Sequence, residues 1–196
     1  MSEQILQNVL DEVRQSFDGY KKLAEKAFEQ ISDEEFFTMI DAESNSIAAI
    51  AKHVGGNLRS RWRDFLTSDG EKADRNRDAE FIAETDSRDS IMRIWNAGWS
   101  VLFETLESLR TEDLGKIVQI RAEQFTVVRA LNRSLTHTAY HVGQIVFLAK
   151  HLCETNWKTL SVPKNQSAEF TAWLKSKDEK GNYLEATQEF TKENLK

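Results

Sequence analysis

An all-α fold is what this sequence predicts, and three observations carry the prediction. The chain of 196 residues holds a single proline, Pro163, and only eight glycines, so the punctuation of an all-β protein is missing. Four long stretches repeat apolar residues at helical period. Hydrophobic residues make up 40% and charged residues 30%, which suits amphipathic helices around a core. At this length the expectation is one domain, residues 1–196, ending in a polar tail from about 178.

The first helix is expected from about Glu3 to Gln30, with Phe17, Tyr20, Leu23 and Phe28 near helical period. In "SDEEF", Ser32 and Glu35 read as a capping box opening a short helix. A second long helix is expected from about Glu43 to Leu66, with Ile47, Ile50, Val54, Leu58 and Phe65 on one face and His53 beside it. Residues 67–86, "TSDGEKADRNRDAEFIAETD", are charged and aperiodic, and longer than a plain connector, so this segment should cover something or cross the fold. Asp69-Gly70 lacks the alternating acidic ligands of a calcium loop. A third long helix is expected from about Ser87 to Leu109. "KIVQIRAEQFTVV" alternates β-branched residues around a polar turn at Ala122-Glu123 and predicts a small hairpin. The fourth long helix runs from about Thr126 to Glu154, and a short accessory helix from about Ser167 to Lys177. Four long amphipathic helices predict a four-helix bundle, whose sites form from side chains pointing inward from facing helices.

The formal net charge of −6 provides no electrostatic reason to expect nucleic acid or an anionic membrane as partner. The N-terminal "MSEQILQNVLDEVRQ" lacks a basic n-region and an apolar h-region, and no apolar run approaches a bilayer span. A cytoplasmic protein is the expectation. The single Cys153 permits no internal disulfide and no cysteine-rich metal site. It reads as a packed or surface thiol. Trp62 and Trp95 read as core or interface aromatics rather than substrate stackers, and Arg59, Arg61 and Arg63, which could bind a substrate carboxylate, read more simply as a solvated, ion-paired face.

"SLTHTAYHVGQIVFLAKHL", residues 134–152, holds three of the four histidines. His137 and His141 lie one turn apart at the edge of the apolar stripe of the fourth helix, so they point the same way. Two imidazoles at i and i+4 can share a metal ion, although this spacing by itself also fits ordinary solvated or core histidines. His53 lies on another long helix among Ser46, Ala49, Gly56, Asn57 and Ser60, small or polar residues that leave room for a cavity. If those helices are adjacent, His53, His137 and His141 converge on one cation. Three imidazoles suit zinc, nickel, copper or iron better than magnesium or calcium. His151, ten residues past His141, is about 15 Å further along the axis and reads as an interfacial or surface histidine. Asn57, Tyr140 and Gln144 are candidates to line the cavity or orient a ligand. The plain alternatives are a solvated Gln144 and a Tyr140 packed between helices.

"SIAAIAKHVGGNLRSRWRDFLTSDGEKADRNRDAEF" and, far downstream, "IRAEQFTVVRALNRSLTHTAYHVGQIVFLAKHL" resemble the DinB-like superfamily, in its branch of uncharacterised bacterial proteins. The resemblance covers nearly the whole chain. It implies a four-helix bundle of up-down-down-up topology with a long crossover, often a homodimer. It also implies a divalent metal, usually nickel or zinc, held by one histidine of the second helix and an H-x-x-x-H pair of the fourth. These correspond to His53, His137 and His141.

Some DinB-like relatives are thiol-dependent enzymes, bacillithiol S-transferases and a mycothiol-dependent maleylpyruvate isomerase among them, while others have a bound metal and no assigned reaction. Fold alone carries no function over. The leading expectation is a metal-dependent thiol S-transferase acting on a small-molecule substrate with a low-molecular-weight thiol. One alternative is a metal-dependent hydrolase, which needs a general base that the H-x-x-x-H flanks do not supply. The other is a metal-binding or stress-response module without turnover.

Overall fold

The four long periodic stretches fold as helices in the computed structural model, which describes residues 2–177 and 183–194. Helix α1 spans Glu3–Phe28 and buries Leu10, Phe17, Ala24, Ala27 and Phe28 on one face. The short α2, Asp33–Phe37, starts at the expected capping box: Ser32 Oγ accepts from the Glu35 amide, and Glu35 accepts from the Ser32 amide. Helix α3 spans Ile47–Trp62, capped by Ser46, and α4 spans Arg88–Ser108, capped by Ser87. The hairpin pairs β1, Ile117–Ile120, with β2, Glu123–Thr126, and leads directly into α5, Val127–Cys153. The chain is mostly helical with this one two-stranded sheet among the described residues.

Helix α3 is shorter than expected at both ends: Ser46 caps its start, and Arg63 leaves helical geometry at ψ 126°, followed by Asp64 at φ 51°. The hairpin turn falls one residue earlier than expected, at Arg121-Ala122, both at positive φ. That backbone matches the twist of the two strands. Asp69 stabilises it, accepting hydrogen bonds from the Arg121 and Ala122 amides at 2.8 and 2.7 Å. Residues 67–86 are thus stitched to the hairpin, and the Gly70 amide also donates to Gln119 O.

Helix α3 packs on α4 and α5, and α1 packs on α5 and α4. The α3–α4 crossing is close: a Cβ on Gly98 would overlap the backbone of Gly55, and one on Gly55 would overlap that of Ile94. Trp62, Trp95, Trp99 and Phe17 fill the core between helices, with Phe17 edge-on to both Trp62 and Trp99 at 6.3 Å. Trp62 and Trp95 are core residues, as expected.

The expected polar tail is corrected by the structure. Residues 183–194 form α7, Tyr183–Asn194, which packs on α6, Ser167–Ser176. Phe190 and Ala186 supply its apolar face, and Phe190 meets Phe170 edge-on at 5.2 Å. Two aromatic or apolar positions four apart suffice when a second short helix covers them. The start of that tail, 178–182, lies outside the described residues, as do 195–196.

Candidate metal centre

His53 sits midway along α3, buried at 3% exposure, and His137 and His141 sit on the face of α5 turned toward it. Further along the two helices Trp62 Nε1 donates to Ser134 Oγ, one turn before His137, at 3.2 Å and ties α3 to α5. A ligand atom from each of the three histidines lies within 4.8 Å of the other two. His53 Nε2 and His137 Nε2 are 3.3 Å apart. Tetrahedral nitrogen ligands with bonds of about 2.05 Å are themselves spaced about 3.3 Å, so this pair already has the separation that one ion requires.

The outer nitrogens are committed elsewhere. His53 Nδ1 lies 2.9 Å from Glu80 Oε2, and His141 Nδ1 lies 2.8 Å from Gln144 Oε1. Both partner atoms are oxygens that only accept, so each Nδ1 carries the proton and each Nε2 presents a lone pair. Gln144 in turn donates to the Tyr140 hydroxyl at 3.1 Å, and the Tyr140 ring stands 4.9 Å from that of His141. Gln144 and Tyr140 therefore brace one histidine as a chain.

Glu80 reaches the site from the 67–86 segment. Arg75 grips its carboxylate in a fork, Nε to Oε1 and Nη2 to Oε2, both at 2.8 Å. Burial alone would raise the Glu80 carboxyl, but the hydrogen bonds from Arg75 and His53 outweigh it and hold it below the ordinary carboxylate range. Phe81 stacks on the His53 ring at 4.6 Å. Lys52, beside His53, anchors the segment further on, donating to Ile82 O at 2.7 Å and Asp86 at 2.6 Å. Gly56 completes the fit, since any Cβ there would overlap the Glu80 carboxylate.

Burial pushes the His137 imidazolium down to about 3, with His141 and His53 adding repulsion, and burial with His53 pushes His141 down to about 4. Both rings are neutral at physiological pH, the form that ligates metal. Three converging lone pairs, two with fixed tautomers, fit a borderline transition-metal ion and not calcium or magnesium. His53, His137 and His141 are the residues that would hold it.

A cavity of about 190 Å³ adjoins the cluster and is lined by His53, His137, Asn57, Trp62 and a group of arginines. The small-residue stripe of α3 divides differently from expectation: Gly56 receives Glu80, and Ser60 Oγ is occupied by Gly70 O and the Lys72 amide. His151 is exposed and remote from the cluster, and Cys153 is buried. Arg59 and Arg63 pair with Asp74 on the surface, as expected, but Arg61 does not belong to that face. Its side chain is only 11% exposed and pairs with Glu71.

Sequence reasoning missed Glu80 and Arg75. Their signal was the length and charge of the 67–86 segment, which announced a role without saying which of its carboxylates turns inward.

Fold and site together define a mostly helical protein with a three-histidine cluster close enough to share one metal ion. The chain belongs to the family described as "Protein of unknown function (DUF1572)", whose model matches residues 4–166, from the start of α1 to just before α6. No curated protein and no solved structure matches the chain.

Proposed function

We propose that this chain is a DinB-like four-helix bundle of up-down-down-up topology that binds one divalent transition metal, nickel or zinc, through His53, His137 and His141. The observation that carries the reading is the convergence of three imidazoles whose outer nitrogens, on His53 and His141, are already engaged by Glu80 and Gln144. A cation held there would supply Lewis acidity, which lowers the pKa of a bound thiol.

The leading activity is transfer of a low-molecular-weight thiol to an electrophilic small molecule. The thiol sulfur forms a bond to the electrophilic carbon, the thiol proton passes to solvent, and the leaving group departs with its electron pair. In this reading the chain's own residues bind and orient: the two α5 histidines and His53 fix the ion, Glu80 and Gln144 hold their rings, and the adjoining cavity admits the substrate. Hydrolysis is disfavoured, because Glu80 has both carboxylate oxygens engaged by Arg75 and His53 and does not serve as a free base. A homodimer in the cytoplasm completes the proposal.

Elemental analysis of the untagged protein tests the metal, comparing wild type with His53→Ala, His137→Ala and His141→Ala, and using His151→Ala as control. About one metal ion per chain in wild type and control, lost in the three variants, is expected. Metal retained by all three variants, or absent after reconstitution, ends the proposal. A panel of small thiols with a generic electrophile then tests transfer; silence there with metal bound points to a module without turnover.

A further inference from the structure

Five arginines, Arg61, Arg75, Arg77, Arg121 and Arg133, line the cavity beside His53 and His137, and no aspartate or glutamate is among its described lining residues. In a chain with a net charge of −6, such a concentration of positive charge is not a consequence of composition. Nor is it neutralised locally. Glu71 Oε2 alone serves three of the five, at 3.1 Å from Arg61, 3.3 Å from Arg75 and 3.1 Å from Arg121. Glu80 is shared between Arg75 and His53. Among the described carboxylates Arg77 pairs with the solvent-exposed Asp78 alone, at 3.9 Å. Arg133 has no carboxylate within 4.0 Å among the described residues and lies over the Phe125 ring instead. With Asp69, which acts on Arg61 from the hairpin turn, five guanidinia face four carboxylates, and Arg133 is left without one among the described residues.

A solvated cationic face does not explain this. The side chains of Arg61 and Arg75 are 11% and 4% exposed, so their charges have left most of their water. Arg61 Nη1 is buried without any hydrogen-bond partner. Burial and the repulsion of Arg75, Arg133 and Arg121 outweigh the attraction of Glu71 and push Arg61 down to about 10, which still leaves it charged at neutral pH. A buried charged donor left unmade, as at Arg61 Nη1, is costly unless an acceptor completes it. Planar guanidinia suit carboxylate and phosphate oxygens in bidentate geometry. Beside the two histidines, Asn57 and Ser134, the wall has an apolar part from Trp62, Phe65, Ile120 and Ala130, and the volume suits a small molecule instead of a polyanion.

We propose that this cavity is an oxyanion subsite that takes the carboxylate or phosphate group of a small molecule with an apolar body, holding it beside the histidine cluster. Calling that molecule a substrate rests on the function proposed above; the binding itself does not. It places an anionic group next to the reacting centre, so the acceptor or the thiol is expected to be an acid.

Calorimetric titration of the full-length protein tests this, with benzoate and phenyl phosphate as oxyanion probes and benzamide as the neutral isostere, each with and without metal. Both oxyanions are expected to bind one per chain without metal, benzamide about tenfold or more weaker, and high salt to weaken only the anions. The tighter of the two identifies the oxyanion. Arg133→Gln, an exposed position whose change leaves the core intact, is expected to weaken the anions about tenfold and spare benzamide; Arg61→Gln is expected to do the same if it folds. Equal binding of benzamide, or anion affinity unchanged in Arg133→Gln, overturns the proposal. So does anion binding that appears only with metal and vanishes in His137→Ala, because the anion then sits on the ion. Anion binding that persists in a protein shown by elemental analysis to hold no metal upholds the subsite and sinks the metal reading alone.

Discussion

Glu80 Oε2 lies 2.9 Å from His53 Nδ1, a bond made between residues 27 apart in sequence and sealed by the Arg75 fork on the other side of the carboxylate. It ties the one loop of unusual length to the one histidine that does not come from α5. An outer-shell carboxylate of this kind fixes the ring and raises its basicity toward an ion.

Removing that carboxylate should therefore weaken metal binding without abolishing it. Glu80→Ala is expected to cost about 10- to 100-fold in metal affinity while stoichiometry stays near one per chain, measured by competition with a chromophoric chelator. Glu80→Gln should retain more affinity than Glu80→Ala, since its amide oxygen still accepts from Nδ1. Unchanged affinity in Glu80→Ala would remove the carboxylate from the site's design.

The glycines of α3 and α4 separate packing from site geometry. Gly98→Ala forces a methyl into the Gly55 backbone, which has no flexible end to move aside, and is expected to destabilise the fold by about 1–3 kcal/mol in denaturant titration. Gly143→Ala, on the exposed side of α5 with open space around it, should instead stabilise by up to about 1 kcal/mol through helix propensity. Gly56→Ala meets the Glu80 carboxylate, so its expected signature is weaker metal binding like that of Glu80→Ala.

Acid should unfold the metal-free protein partly through its histidines. His137 and His141 are held down to about 3 and about 4 in the folded state, against about 6.5 when unfolded, so the unfolded chain binds more protons across that interval. Stability contributed by the neutral rings is complete above about pH 6.5 and is lost as pH falls toward 4. The melting temperature is expected to decline over that window, and less steeply in a His137→Gln, His141→Gln double variant. Parallel declines in the two proteins would refute the assignment.

Metal and fold should be coupled in the ordinary way. An ion that binds only the folded chain raises its stability by about 2.7 kcal/mol at a free concentration 100 times its Kd. Chelation is expected to lower the melting temperature of wild type and of His151→Ala, and to leave that of His137→Ala unmoved.

Much of this was legible in residue order. Helical period is a local property, so the apolar spacing along α1, α3, α4 and α5 announced each long helix, and the Ser32-Glu35 box marked a start to the residue. The i, i+4 spacing put His137 and His141 on one face for the same reason. Other features depended on which segments meet. Residues 67–86 have no period, and nothing in their order distinguishes Glu80, turned in to His53, from Asp78, turned out to solvent. Arg59, Arg61 and Arg63 alternate along one stretch, yet only Arg61 is swallowed when Glu71 and the hairpin close over it. Residues 183–194 read as a polar tail until α6 offered Phe170 as cover. Local sequence determined the helices and the paired histidines because a helix repeats within a few residues. Tertiary structure decided the brace on His53 and the arginine-lined cavity, because burial and charge balance are set by segments distant in the chain.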